Sequence, residues 1–128
     1  INWKPHTDNT ASEPSSLIKQ LKNWKQHWQD KNLSEYSNFY AEDFNNGRKN
    51  RQQWLAHKKR IFSQGAKINL SLSQISIIHY PNENNLASVS FKQTYQHGAY
   101  RSTGMKQQYW QKNNVGQWQI IDERMEKK

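Results

Sequence analysis

Residues Ala87 to His97 constrain the fold most, because they alternate with a period of two. The odd positions are Ala87, Val89, Phe91, Gln93, Tyr95 and His97; the even ones are Ser88, Ser90, Lys92, Thr94 and Gln96. Successive side chains on a strand point to opposite faces, so this segment reads as a strand with one apolar and one wet face. The apolar face changes along its length, from Ala, Val and Phe to Gln, Tyr and His. Buried polar groups need partners, so a core face that turns polar at one end is expected to line a cleft.

The strands around it follow the same period. Ile68, Leu70 and Leu72 share one face, whereas Ile75 and Ile77 have the opposite parity. That flip predicts a bulge near Ser73 and Gln74, which would bend the sheet. Pro81 to Asn85 is a turn, Gly98 another, and Asn113, Asn114 and Gly116 a third. Strands are predicted over about 100–111 and 117–125, the last with Trp118 and Ile120 on one face.

Before Gly65 the period is helical. Leu17, Leu21, Trp24 and Trp28 form one amphipathic stripe, capped by Ser15 or Ser16 and stopped by Asp30-Lys31-Asn32. A short helix near Ser34 carries Tyr36, Phe39 and Tyr40. Ala41 to Lys49 reads as a loop anchored by Phe44. A third helix over about 50–64 buries Trp54, Leu55, Ile61 and Phe62, with Gly65 as its C′ residue. Residues 1–14 are polar, contain two prolines and have no period, so they read as a flexible lead-in or linker to a domain over 15–128. Helices followed by strands imply an α+β fold. Here that means three N-terminal helices packed on a strongly curved antiparallel four-stranded sheet, a cone with an open pocket.

Composition narrows the chemistry. With no cysteine among 128 residues, disulfides, thiolate metal sites and cysteine nucleophiles are excluded. His6, His27, His57, His79 and His97 are scattered, so no metal or other cofactor is expected. No apolar run approaches the roughly 20 residues that span a bilayer. The chain opens Ile1-Asn2-Trp3-Lys4-Pro5, without an initiator Met or an apolar leader, and reads as a piece of a processed or longer protein. The net charge of +9 comes from dispersed residues, with clusters at Arg48, Lys49 and Arg51 and at Lys58, Lys59 and Arg60. These read as a solvated basic surface; they line no single strand face, so nucleic acid is not the expected partner.

The segments 24–31 (WKQHWQDK), 36–44 (YSNFYAEDF) and Trp54 to Arg60, followed by Phe91-x-Gln93-x-Tyr95, Lys106, Trp110, Trp118-Gln119-Ile120 and Glu123, resemble the nuclear-transport-factor-2-like (NTF2-like) superfamily, the cystatin-like α+β cone. Within it the chain is most similar to the small domain appended to bacterial L,D-transpeptidase-like (YkuD-type) cell-envelope proteins. The resemblance implies a non-catalytic accessory module, periplasmic or otherwise exported in a Gram-negative bacterium. It would take a small polar ligand, a peptidoglycan fragment or a partner domain in the cone. It also implies an upstream catalytic domain in the same protein and pairing of two copies through the sheet. Aromatic faces with amide and hydroxyl groups suit sugars and peptides, so Tyr36, Tyr40, Trp54, Gln93, Tyr95 and Trp110 are the candidate ligand-binding set. Arg60 and Lys106 are candidates for a ligand carboxylate, with Asp122 or Glu123 as their alternative partners. The alternative function is a small isomerase, dehydratase or hydrolase using His79, His97, Asp122 or Glu123 as acid or base. No Asp-His spacing forms a dyad, and no catalytic residue is assigned.

Overall fold

The computed structural model describes residues 6–80 and 85–127, with side chains over 17–80 and 85–126. Three helices, α1 (His6–Gln29), α2 (Leu33–Ser37) and α3 (Arg51–Phe62), precede four strands. These are β1 (Ile68–His79), β2 (Leu86–His97), β3 (Tyr100–Lys112) and β4 (Trp118–Lys127). The strands form one open antiparallel meander in the order β1-β2-β3-β4. The fold is the expected α+β arrangement.

The helix stripe sets the core. Leu17, Leu21, Trp24 and Trp28 are all buried, and they face Val89, Phe91, Ile68, Leu70 and Ile120 in one cluster. Side chains this large bury enough apolar area for a short stripe to hold a helix on a sheet. α1 begins at His6, well before the Ser15–Ser16 cap; residues 1–5 of the anticipated lead-in lie outside the described residues. The stop after Gln29 is as read, with Lys31 at φ 58°. α2 ends at Ser37, so Phe39 and Tyr40 lie beyond it. There the chain pairs with the outer edge of β4, where the Ala41 amide donates to the Ile120 carbonyl at 3.0 Å. That covering removes an exposed strand edge. Asn50 and Gln53 close a reciprocal capping box at the start of α3. α3 ends at Phe62 and Gly65 does not take positive φ, so the expected glycine cap is replaced by Ser63 in a right-handed conformation.

Two bulges shape the sheet. One lies between Ser73 and Ser76, with Gln74 at φ 54°, where the parity flip placed it. The other is in β4: Trp110 pairs Ile120 while Tyr109 pairs Asp122, so Ile121 is an extra residue. A bulge bends its strand and reverses the alternation beyond it. Trp118 and Ile120 point inward before it, and Glu123 and Met125 after it. Gly98, at φ 64° in the tight β2–β3 turn, is held where a β-carbon would come within 3.2 Å of Ala66. Ser88, expected on the wet face of β2, is buried.

Candidate functional site

The interior between helices and sheet has two ends of different character. At the closed end, Glu123 is 1% exposed and both its oxygens are engaged. Its Oε1 receives the Tyr40 hydroxyl at 2.7 Å and Gln108 Nε2 at 3.1 Å, while Oε2 pairs with Lys106 Nζ at 2.7 Å. Tyr40 in turn accepts from Trp24 Nε1 at 3.0 Å and meets the Tyr36 hydroxyl at 2.9 Å. Trp110 Nε1 donates to Gln108 Oε1 at 2.9 Å. Burial holds both tyrosines well above the usual phenol range, and the negative charge of Glu123 adds to it. Both therefore stay neutral, Tyr40 donating to the carboxylate and Tyr36 bonded to the Tyr40 hydroxyl.

At the open end lies a cavity of about 560 Å³ between α1, α3 and the concave face of β2, β3 and β4. Its walls include Trp28, Trp54, Tyr95 and His97, with Lys58, Gln93 and Lys106 among them. Tyr95 stacks on Trp28 with ring centres 5.4 Å apart. Lys58 is buried; its ammonium sits 4.3 Å from the Trp28 ring centre and 5.1 Å from that of Trp54. It has no hydrogen-bond acceptor or ion-pair partner among the described residues. Burial and then the Lys106 charge push its pKa down, Glu123 offsets part of this, and the result is about 7. Gln93 donates weakly to Met125 Sδ at 3.8 Å, but its buried Oε1 accepts nothing, and neither does the buried Nε2 of His97 have a partner. Polar atoms held out of water without partners are costly unless something else meets them. A smaller hollow of about 420 Å³ adjoins it, sharing Trp54, Lys106 and Met125 and bordered by Asn46, Arg48 and Arg124. Among the described residues no cluster of His, Asp or Glu is arranged to hold a metal, and no helix is long and apolar enough to cross a membrane.

A family model described as the Cds6 C-terminal NTF2-like domain matches residues 16–124. The chain belongs to this NTF2-like family. Similar solved structures agree. Bd1075 of Bdellovibrio bacteriovorus is 27% identical with a TM-score of 0.81, covering 89% of this chain and 40% of its own. A single-residue variant of the helical cell shape determining protein Pgp2 from Campylobacter jejuni is 30% identical, with a TM-score of 0.77 over 85% of this chain and 39% of its own. The NTF2-like domain thus spans about two fifths of these two relatives. A candidate scytalone dehydratase from Novosphingobium aromaticivorans shares the fold, at 16% identity and a TM-score of 0.78 over 95% and 88% of the two chains. No curated protein matches significantly.

Of the eight residues singled out in the sequence, the NTF2-like fold gathers Trp54, Gln93, Tyr95 and Lys106 around the larger cavity. Tyr36, Tyr40 and Trp110 sit deeper, fully buried in the closed network and turned to partners within the protein. Arg60 is exposed: it lies two residues past Lys58, about 200° round the helix from the side that faces the cavity. Lys106 pairs with Glu123, one of the two partners anticipated for it. His79 lies beside Trp118, away from the cavity lining. Two residues went unrecognised. Lys58 was grouped with the surface cluster, although it stands four residues after Trp54 and three before Ile61, on the buried stripe. Gln108 shares the parity of Lys106 and Trp110 along β3, a signal that was present in the alternation.

Proposed function

We propose that this domain is a non-catalytic binding module that takes a small polar ligand, of the kind a peptidoglycan fragment provides, in the cavity beside Lys58. The observation that carries this is the set of unpartnered groups in one aromatic-walled space: the Lys58 ammonium, Gln93 Oε1 and His97 Nε2. A cation suits a ligand carboxylate, an amide oxygen suits an N–H or O–H, and indole and phenol faces suit sugar C–H surface. Similarity to part of a cell shape determining protein supports the envelope setting, and with it a periplasmic location and an accessory role beside a transpeptidase-type catalytic domain of the same protein. Self-association through the outer sheet face belongs to the same reading and is measured by light scattering. Titration calorimetry with isolated muropeptides tests the binding. Heat with the parent chain that disappears with Lys58→Met supports it, and no heat with any wall fragment overturns it.

The rival reading is a small acid–base enzyme. It is favoured by Glu123, a buried carboxylate beside the Tyr40 hydroxyl at the edge of the smaller hollow. Tyr40, Gln108 and Lys106 already engage both oxygens of Glu123, which favours a structural anion over a proton-transfer group. Turnover of a carbonyl or hydroxyl substrate that is lost in Glu123→Gln, with the chain still folded, would reverse that preference.

A further inference from the structure

Lys58 and Lys106 share one aromatic ring. Their ammonium nitrogens lie 4.3 and 5.0 Å from the Trp28 ring centre, so two cationic groups meet in one poorly solvated space. Lys106 is neutralised by Glu123 at 2.7 Å, and Lys58 has no anion of its own among the described residues. The residue is only 8% exposed, and it lines the cavity. A desolvated amine beside a second cation is the arrangement that makes a lysine a nucleophile at neutral pH.

We propose that Lys58 captures a small aldehyde or ketone with an aromatic or apolar body as an imine within this cavity. The neutral amine nitrogen attacks the carbonyl carbon and forms a C–N bond. One amine proton passes to the oxygen to give a carbinolamine, whose hydroxyl then leaves with the second amine proton as water, leaving C=N. No oxidant or reductant is consumed. The walls choose the body of the compound: the Trp28 and Trp54 rings lie against the amine, and Tyr95, stacked on Trp28, extends the aromatic wall. The groups that act on Lys58 are Lys106 and Glu123 from the sheet, with His57 preceding it on α3. His57 is itself held below the ordinary imidazole value by partial burial and then by the positive charge of Lys58, so it brings no compensating anion. At neutral pH about half of Lys58 is unprotonated, against roughly one in three thousand of an ordinary lysine. Lower basicity reduces intrinsic nucleophilicity and offsets part of that advantage, leaving at least ~10-fold selectivity.

This proposal shares the cavity of the ligand reading but does not need a wall fragment, so the two are tested apart. The folded chain is incubated with benzaldehyde, and cyanoborohydride fixes any imine as a secondary amine. The modified lysines are then located by peptide mapping across a pH series, without muropeptides. The expected result is labelling of Lys58 at least ~10-fold faster than exposed Lys59 and Lys92, with a half-maximal pH near 7. The terminal amine, whose ordinary pKa is ~8, is separated by the map. The fast label should vanish in Lys58→Met. If that variant does not fold, the map of the parent chain decides by itself. Labelling of Lys58 at or below the rate of the exposed lysines overturns the proposal, whatever calorimetry finds for wall fragments.

Discussion

Lys106 and Lys58 lie over the same indole yet live in opposite circumstances. Lys106 sits at the closed end, where Glu123, Tyr40, Gln108 and Trp110 complete one another's hydrogen bonds. Lys58 sits at the open end, where its charge, Gln93 Oε1 and His97 Nε2 meet no protein partner among the described residues. A finished network gives rigidity, because removing any member strands another in a low dielectric. An unfinished one gives a place to bind, because its cost is recovered when a ligand arrives. One Trp ring thus borders both a completed network and an uncompleted one.

The largest test removes the finished side. Lys106→Met should strand Glu123 and cost about 3–5 kcal/mol in urea unfolding. A loss below about 1 kcal/mol would mean that the closed end does not hold the fold together. Removing the unfinished side should act in the opposite sense. Lys58→Met relieves a buried, unpaired cation and should raise stability by about 1–3 kcal/mol near pH 6. That gain should shrink with pH. Lys58 titrates at about 7 when folded against an ordinary 10.5, so between these values the unfolded chain binds more protons and stability of the parent rises. Below about 7 both states are charged and the penalty is constant. Above about 10 the trend should reverse, since unfolded Tyr36 and Tyr40 ionise while the folded ones resist. A pH series of urea midpoints for parent and variant checks both limbs; parallel curves would break the contrast.

A smaller effect is expected at Gln93. Gln93→Leu should weaken muropeptide binding about tenfold, the loss of one good hydrogen bond, and leave stability level or slightly higher because no acceptor is then left unsatisfied. Stability falling together with binding would place Gln93 in the finished network instead. The smallest effect is reserved for Arg60→Ala, which should change neither calorimetry nor the thermal midpoint, as its side chain is exposed.

Local period made much of this legible. The Leu17–Trp28 stripe and the Ala87–Tyr95 alternation report burial directly, because each repeats a backbone geometry. The β1 bulge was visible because its apolar residues change parity. The β4 bulge was hidden for the converse reason: Ile120 and Ile121 are both apolar, so either could continue the inward face. Lys58 was obscured by its own charge. A lysine ordinarily keeps its head in water, and what covers it here includes Trp28, a residue of a different helix thirty positions away. Tyr36, Tyr40 and Trp110 lie deeper than the cavity lining, since sequence period gives a face and not a distance from the mouth.

Ile121 carries a consequence of its own. With unbroken alternation through β4, Asp122 would stand opposite Gln108, and Glu123 would turn to solvent with Arg124 behind it on the inner side. A short acid would then replace a long one against Lys106, and a guanidinium would replace the thioether beside Gln93. The electrical lining of this vessel is therefore set by a count of residues along one ribbon: an added residue that no bulge takes up repolarises it without altering any side chain's identity, whereas loss of Ile121 itself leaves Glu123 facing inward.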